Sequence, residues 1–302
     1  MKWILILALV FCVGCGGPTT IHPPTPVPGP SFTVMYYAAY DCANREDEAN
    51  SLINQLAWPV HTERIKVTAQ VDALSEAPKR YEKKQHGMEL VETLEESSTG
   101  DPMTLVDFVV SSALKNPSEN YILVLLGHGG GWYGFGVDGH DWLNEKEITE
   151  AFAMIKSAGV EFEAIVFDSC FMANYSIAKM LKAHTRYLVA SPNASTALAI
   201  PHGVTLADLG SKPINAQGFC MWVVERYRAS NSCRFLNGLI ISLAAIDLEK
   251  LPAKAVKADP ATVHAPAPFV SINVGDCVMR VVGNWVHGNY TGLQEDPLRL
   301  GE

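Results

Sequence analysis

A histidine and a cysteine each follow a short run of apolar residues, and this pair of side chains could carry out nucleophilic catalysis. His128 lies two positions after the apolar run at 121–126, and Cys170 lies three positions after the run at 164–167. A thiolate is an effective nucleophile, and a histidine that faces it can protonate the amine that leaves when an amide is cleaved. The two residues therefore indicate acyl transfer at a cysteine.

The two apolar runs have the composition of strands that are buried inside a parallel sheet. Ligands of such sheets bind where the carboxyl ends of the strands meet. If the runs at 121–126 and 164–167 form neighbouring parallel strands, His128 and Cys170 emerge at the same edge of the sheet. We also predict a helix over 171–183, whose positive N-terminal end would favour the thiolate of the cysteine.

The residues around this pair have both a catalytic and a simpler interpretation. Gly129 and Gly130 could offer backbone N–H groups to an oxyanion, or they could form only a tight turn. Asp168 could contact substrate, or it could merely cap the following helix. Cys170 could be an inert core residue, and His128 could be a turn residue. Complementary chemistry after two successive strands favours the catalytic interpretation.

Segments typical of strands and helices alternate from Ser31 onwards. Apolar residues at helical spacing lie within 44–56, 104–114 and 145–158, and further short strand-like runs lie at 32–37, 65–71 and 187–190. This alternation predicts an α/β fold with a mostly parallel central sheet and helices on both faces. We expect the polar stretch at 72–101 to be mainly loop. Near the end of the chain, 269–273 and 277–282 could pair with each other as strands.

Composition excludes some classes of protein. Hydrophobic residues make up 48% of the 302 residues and charged residues 18%, so the chain can bury a sizeable core and is not intrinsically disordered as a whole. Lys and Arg number 23 against 32 Asp and Glu, which gives a formal net charge of -9. Domains that bind nucleic acid are normally basic, so we expect no nucleic-acid partner.

The beginning of the sequence has the pattern of an export signal. A lysine precedes eleven apolar residues, and small residues follow them. The apolar run is too short to cross a bilayer comfortably. The stretch from Cys12 to Cys15 resembles the lipobox of bacterial lipoproteins. We therefore predict a signal peptide at 1–14 and lipidation of Cys15, with an ordinary secretory signal as the alternative.

A proline-rich segment follows the predicted lipidation site. Six prolines lie between residues 18 and 30, so this stretch cannot form a helix or a central strand. An extended chain of this kind holds a domain away from a membrane surface. We predict that residues 15–30 tether the protein to the membrane of the bacterial cell envelope, or that the protein is secreted if Cys15 carries no lipid.

The two catalytic motifs resemble those of the clostripain family of cysteine peptidases, which have a caspase-like fold. In that family one strand ends in His-Gly and the next ends in Asp-x-Cys, and Gly127–Trp132 and Phe167–Ala173 match this pattern. Weaker similarity is found at 33–40, 100–105, 187–191 and 244–248. The resemblance implies a caspase-like peptidase domain at 31–251, followed by a linker and short C-terminal extension at 252–302.

The resemblance also implies roles for individual residues. His128 and Cys170 would form the catalytic dyad, and Asp168 would face an Arg or Lys at the P1 position of the substrate. A carboxylate suits that task because it pairs bidentately with a guanidinium group. The expected activity is therefore cleavage of proteins or peptides after Arg or Lys, with the Gly129 N–H as an oxyanion donor. The loop at 192–203 departs from the family pattern, which leaves the pocket wall undefined.

We expect no cofactor and no metal site. Some members of the family need calcium, and Asp138, Asp141 and Glu145 could bind it. Acidic loop residues are normally only solvated, however, and no C-x-x-C motif is present.

Two other functions are compatible with parts of the sequence. The His-Gly-Gly-Gly stretch from 128 resembles the oxyanion motif of α/β-hydrolase esterases, but the chain has no G-x-S-x-G nucleophile motif. A surface lipoprotein that keeps the caspase-like fold without activity, and that binds a partner, is the second alternative. Damage to the dyad would favour that alternative, and both members of the dyad are intact.

Overall fold

The computed structural model describes residues 32–42, 46–60, 64–74, 76–211, 214–231, 242–255, 270–271, 276–283 and 294–295. The predicted signal peptide, Cys15, the tether and much of the predicted C-terminal extension lie outside these residues. In the described part, none of the helices combines the length and hydrophobicity that crossing a membrane requires.

The described elements alternate for most of the chain. The strands are β1 (Phe32–Tyr40), β2 (Ile65–Ala73), β3 (Glu76–Lys84), β4 (Gly87–Thr93), β5 (Tyr121–Leu126), β6 (Phe135–Asp138), β7 (Asp141–Leu143), β8 (Phe162–Asp168), β9 (Thr185–Ala190), β10 (Ser242–Asp247), β11 (Val270–Ser271), β12 (Val278–Gly283) and β13 (Gln294–Glu295). The helices are α1 (Glu46–Leu56), α2 (Pro102–Lys115), α3 (Glu145–Ser157), α4 (Tyr175–Leu181), α5 (His202–Ser211) and α6 (Ala216–Asn231). Short 3₁₀ turns lie at Gly131–Tyr133 and Leu248–Lys250.

A nine-stranded sheet in the order β12-β10-β9-β8-β5-β1-β2-β3-β4 organises the chain. Its five central strands, from β9 to β2, are parallel, and two antiparallel strands flank them on each side. The α/β class with a mostly parallel central sheet is confirmed. The predicted side-by-side, parallel arrangement of the strands before His128 and Cys170 is also confirmed, since β5 pairs directly with β8.

Helices cover both faces of this sheet and close two hydrophobic cores. Alternate residues of a strand face opposite sides, so Met35 and Tyr37 of β1 enter one core and Val34 and Tyr36 enter the other. The first core also receives α2, α3 and α4, and the second receives α1, α5 and α6. Because both faces are covered, every residue of β1 is buried. The continuous apolar runs in the sequence follow from this double burial.

The predicted loop at 72–101 is largely sheet instead. Strands β3 and β4 form an antiparallel hairpin that extends the sheet beyond β2. Residues 89–91 of β4 are exposed, because edge strands are covered less than central ones. Charged residues are common in edge strands, where they discourage pairing with other chains. The polar composition that suggested a loop therefore reflects an exposed position in the sheet.

The prediction about the strands at the end of the chain is wrong. Strand β12 does not pair with the strand near residue 270, because it joins β10 at the edge of the main sheet. The strand near 270 is β11, which pairs with β13.

Candidate active site

His128 lies in a tight loop directly after β5. Its carbonyl oxygen accepts a hydrogen bond from the Gly136 N–H at 2.9 Å, so the loop folds back from the strand end and returns as β6. Gly127 has a φ of 149° and packs against the backbone of β1. Only glycine adopts this conformation readily. The side chain of His128 is exposed at this turn, where it is accessible to a substrate.

Cys170 follows β8 in a segment that is hydrogen-bonded to the loop after β9. The backbone N–H groups of Phe171 and Ala173 donate to the carbonyl oxygens of Asn193 and Ser191, each at 2.9 Å. Phe171 has a φ of 60°, a left-handed conformation that is unfavourable for a bulky residue and is often found at functional sites. The half-buried thiol of Cys170 is therefore held by a constrained backbone.

Neighbouring strand ends bring the two predicted catalytic segments together. Leu126 and Asp168 lie opposite each other in the β5–β8 pairing, so His128 and Cys170 each lie two positions beyond a paired residue. A Cβ atom placed on Gly129 would lie 2.4 Å from the carbonyl oxygen of Cys170. The backbone beside the histidine thus touches the backbone of the cysteine, and no side chain larger than hydrogen fits between them.

Ser195 contacts the thiol and was not among the predicted site residues. Its backbone N–H lies 3.2 Å from Sγ of Cys170, and its carbonyl oxygen lies 3.4 Å from the same sulfur. The carbonyl can accept a bond from the thiol, and the N–H can donate one to the thiolate. A hydrogen bond donated to the charged form favours that form. The loop at 192–203 therefore contributes directly to the site.

The predicted helix next to the cysteine begins later than expected. Helix α4 starts at Tyr175, and the side chain of Asn174 caps it by accepting the N–H of Ser176. The expectation that the positive end of this helix lies at Cys170 is wrong, because the effect of a helix end is confined to its first turn. The suggestion that Asp168 caps this helix is also wrong, because Asn174 is the capping residue.

One N–H group of the histidine loop is suited to stabilise an oxyanion. Gly129 forms an isolated antiparallel bridge with Phe135. The bridge uses the N–H of Gly136 and that of Gly130, which donates to the Gly134 carbonyl at 2.9 Å. The Gly130 N–H, which the sequence offered as a second donor, is therefore engaged inside the loop. The Gly129 N–H takes no part in the bridge and is the remaining candidate.

Asp168 is buried at the end of β8 and has a partner that the sequence did not suggest. Its Oδ2 lies 3.0 Å from Nε2 of His202 and accepts the N–H of Ile200 at 3.3 Å. Asp168 is 5% exposed and His202 is 1% exposed. The imidazole also contacts the ring of Tyr36 edge-on, with the ring centroids 5.3 Å apart. His202 lies 34 residues from Asp168, and no motif in the sequence links them.

Two buried tyrosines stay neutral beside these groups. Burial raises the pKa of Tyr36 far above its usual value, and the charge of Asp168 raises it further. Burial and the charge of Asp168 likewise raise the pKa of Tyr227. Both phenols are therefore uncharged within range of the charge of Asp168.

The predicted calcium ligands do not form a ligand set. Asp138 accepts the N–H of Thr99 at 2.6 Å, and Asp141 accepts the hydroxyl of Ser98 at 2.7 Å. Among the described residues, the group that can hold a metal is Asp41, Asp72 and Glu96 instead.

The sequence and the fold are both similar to those of known proteins. The sequence profile of the clostripain family, Peptidase_C11, matches residues 37–262. No curated protein matches the chain significantly.

Solved structures of C11 proteases share the fold at low sequence identity. A secreted C11 cysteine protease from Bacteroides thetaiotaomicron, iotapain, is 15% identical with a TM-score of 0.71, over 91% of this chain and 95% of that one. A secreted C11 cysteine protease from the same organism, in complex with an irreversible peptide inhibitor, is 15% identical with a TM-score of 0.67, over 88% of each chain. An inactive zymogen C11 protease from Parabacteroides distasonis is 13% identical with a TM-score of 0.67, over 89% of this chain and 92% of that one.

Proposed function

The chain belongs to the clostripain family, and we propose that this cysteine peptidase cleaves peptide bonds after Arg or Lys through His128 and Cys170. The contact between the Gly129 and Cys170 backbones carries the proposal. It joins the two strand ends where a nucleophile and a proton donor would have to meet. The catalytic roles of the two residues rest on this contact and on the motifs that contain them.

Hydrolysis at this site proceeds in two steps. Sγ of Cys170 attacks the carbonyl carbon of the scissile bond, and its proton passes through His128 to the leaving amine. A water molecule then cleaves the thioester and regenerates the thiol. The Ser195 N–H, 3.2 Å from Sγ, favours the thiolate that starts the reaction. The Gly129 N–H stabilises the negative oxygen that forms in both steps.

Asp168 provides the negative charge for a basic P1 side chain. Both hydrogen bonds that the described residues make to this carboxylate end at Oδ2, which leaves Oδ1 for a guanidinium or ammonium group. His202 and Ile200 fix the orientation of the carboxylate. A buried carboxylate gains most from a cationic partner, because water does not screen the interaction. With one oxygen free, the carboxylate accepts a charge-assisted hydrogen bond from either Arg or Lys.

The site of action is outside the cytoplasm in this proposal. The charged and apolar pattern of residues 1–14 supports export, and Cys15 with the following proline-rich segment supports a lipid anchor and a tether. Substrates would then be proteins or peptides at the cell envelope.

Labelling of the thiol tests the proposal directly. An iodoacetamide probe should label Cys170 in the wild-type protein, and a Cys220→Ala control should label equally well because Cys220 is fully buried. Prior treatment with an electrophilic peptide that has Arg at P1 should block the labelling, whereas the same peptide with norleucine at P1 should not. Equal protection by both peptides would contradict the basic specificity. Labelling that no peptide affects would favour a protein that only binds a partner.

A further inference from the structure

An unsatisfied buried carboxylate lies at the same edge of the sheet as the active site. Asp72, near the end of β2, is 0% exposed. Neither of its side-chain oxygens has a hydrogen-bond partner within the described residues. A buried charge without a partner costs several kcal/mol, so this side chain requires a compensating group.

The groups around Asp72 are also acidic. The carboxylates of Asp41 and Glu96 lie beside it, and that of Asp138 is also close enough for its charge to act on Asp72. When ionised, these carboxylates repel one another, and a single cation between them compensates all of their charges at once.

The geometry of these groups suits a single ion. One oxygen from each of Asp41, Asp72 and Glu96 lies within 4.8 Å of the others. Two oxygens bound to one calcium ion at about 2.4 Å can be at most about 4.8 Å apart. All three donors are hard oxygen ligands, which calcium and magnesium prefer over soft metals. Magnesium usually binds through one or two carboxylates, whereas calcium accepts more, so three favour calcium.

We propose that Asp41, Asp72 and Glu96 bind a calcium ion at the end of β1 and β2. The ion would join three segments that are distant in sequence: the end of β1, the end of β2 and the loop between β4 and α2. Water molecules would complete its coordination on the exposed side, next to Glu96. These are not the residues that the sequence suggested for calcium, and the site does not depend on the proposed P1 specificity.

The site is connected to the loop that carries the catalytic histidine. The N–H of Gly139 donates to the carbonyl oxygen of Asp41 at 3.3 Å. Gly139 directly follows β6, and Gly136 of that strand donates to the carbonyl oxygen of His128 at 2.9 Å. An ion that fixes Asp41 therefore also restrains the segment that returns to His128.

Calcium binding can be measured without any substrate. The full chain is freed of metal with a chelator and titrated with calcium chloride, and binding is followed by calorimetry and by the unfolding temperature. We expect a single strong site and a rise of about 5–10 °C at a calcium concentration of 100 times Kd. A protein that shows neither heat of binding nor thermal stabilisation would overturn the proposal.

Substitutions locate the ion, and the order of stability of variant and wild type should reverse when calcium is added. Without calcium, Asp72→Asn should be at least as stable as the wild type, because the neutral amide is not repelled by the neighbouring carboxylates. With calcium, the wild type should be the more stable protein. Glu96→Gln changes an exposed ligand without disturbing the core, and it should weaken calcium binding at least 10-fold even if Asp72→Asn does not fold.

Two controls make the test specific. Glu119→Gln removes the same charge from an exposed residue outside the cluster and should bind calcium as the wild type does. Magnesium at the same concentration should stabilise the protein much less. Unchanged calcium affinity in Glu96→Gln would place the ion elsewhere and overturn the site, and equal stabilisation by magnesium would overturn the choice of calcium.

Discussion

The substitution Asp168→Asn tests whether the carboxylate at the end of β8 recognises a basic P1 residue. Asparagine keeps the size of the side chain, and its oxygen can still accept the N–H of Ile200. The same oxygen can also accept the Nε2–H of His202, because both partners meet Oδ2 in the wild type, with Nε2 at 3.0 Å. The variant should therefore fold, while the negative charge that attracts the substrate is lost.

The size of the effect follows from the bonds that the charge would strengthen. Hydrogen bonds to charged groups contribute about 1.5–3 kcal/mol, and each 1.36 kcal/mol corresponds to a factor of ten. Asp168→Asn should thus reduce kcat/KM for a P1 Arg peptide about 10- to 100-fold or more. For a peptide with citrulline at P1, which has nearly the same shape without the charge, kcat/KM should hardly change.

The assay compares the Arg/citrulline ratio of kcat/KM between proteins. Asp208→Asn is the matched control, because Asp208 is also a buried acid that forms an ion pair of its own, with Arg226 at 2.6 Å. The ratio should fall in Asp168→Asn and stay at the wild-type value in the control. If Asp168→Asn cleaves Arg and Lys peptides as well as the wild type, the pocket assignment is wrong. Asp168 would then only orient the loop at 192–203 through His202 and Ile200.

Three other outcomes are expected. His128→Ala and Cys170→Ala should each abolish peptide hydrolysis without changing the circular dichroism spectrum, and activity retained in Cys170→Ala would exclude the mechanism. Gly129→Ala should lose at least 10-fold in kcat or fail to fold, because its Cβ would lie 2.4 Å from the Cys170 carbonyl oxygen; wild-type activity would show that the two backbones are not in contact. Cys15→Ala should release the protein from membrane fractions, and a wild-type protein found wholly in the soluble fraction would favour an ordinary secretory signal.

The strands at the buried centre of the sheet could be predicted from the sequence. The runs that became β5 and β8 are continuously apolar because helices cover both faces of these strands, and this pattern needs no knowledge of the rest of the fold. The edge strands β3 and β4 and the start of the helix after Cys170 could not be predicted in this way. The charged strands β3 and β4 read as loop because they are exposed, and the helix after Cys170 begins at Tyr175 because Asn174, rather than an earlier residue, caps it.

The sequence by itself determined the two strands of the active site and the residue types that follow them, because each is encoded in a short continuous segment. Only the tertiary structure decided which other groups surround them. His202 reaches Asp168 across 34 residues, Ser195 reaches Cys170 across 25, and the carboxylates of Asp41, Asp72 and Glu96 come from three separate segments. The packing of the loops at the sheet edge determines which of these residues are in contact. That packing depends on long-range contacts, which leave no periodic pattern in the sequence.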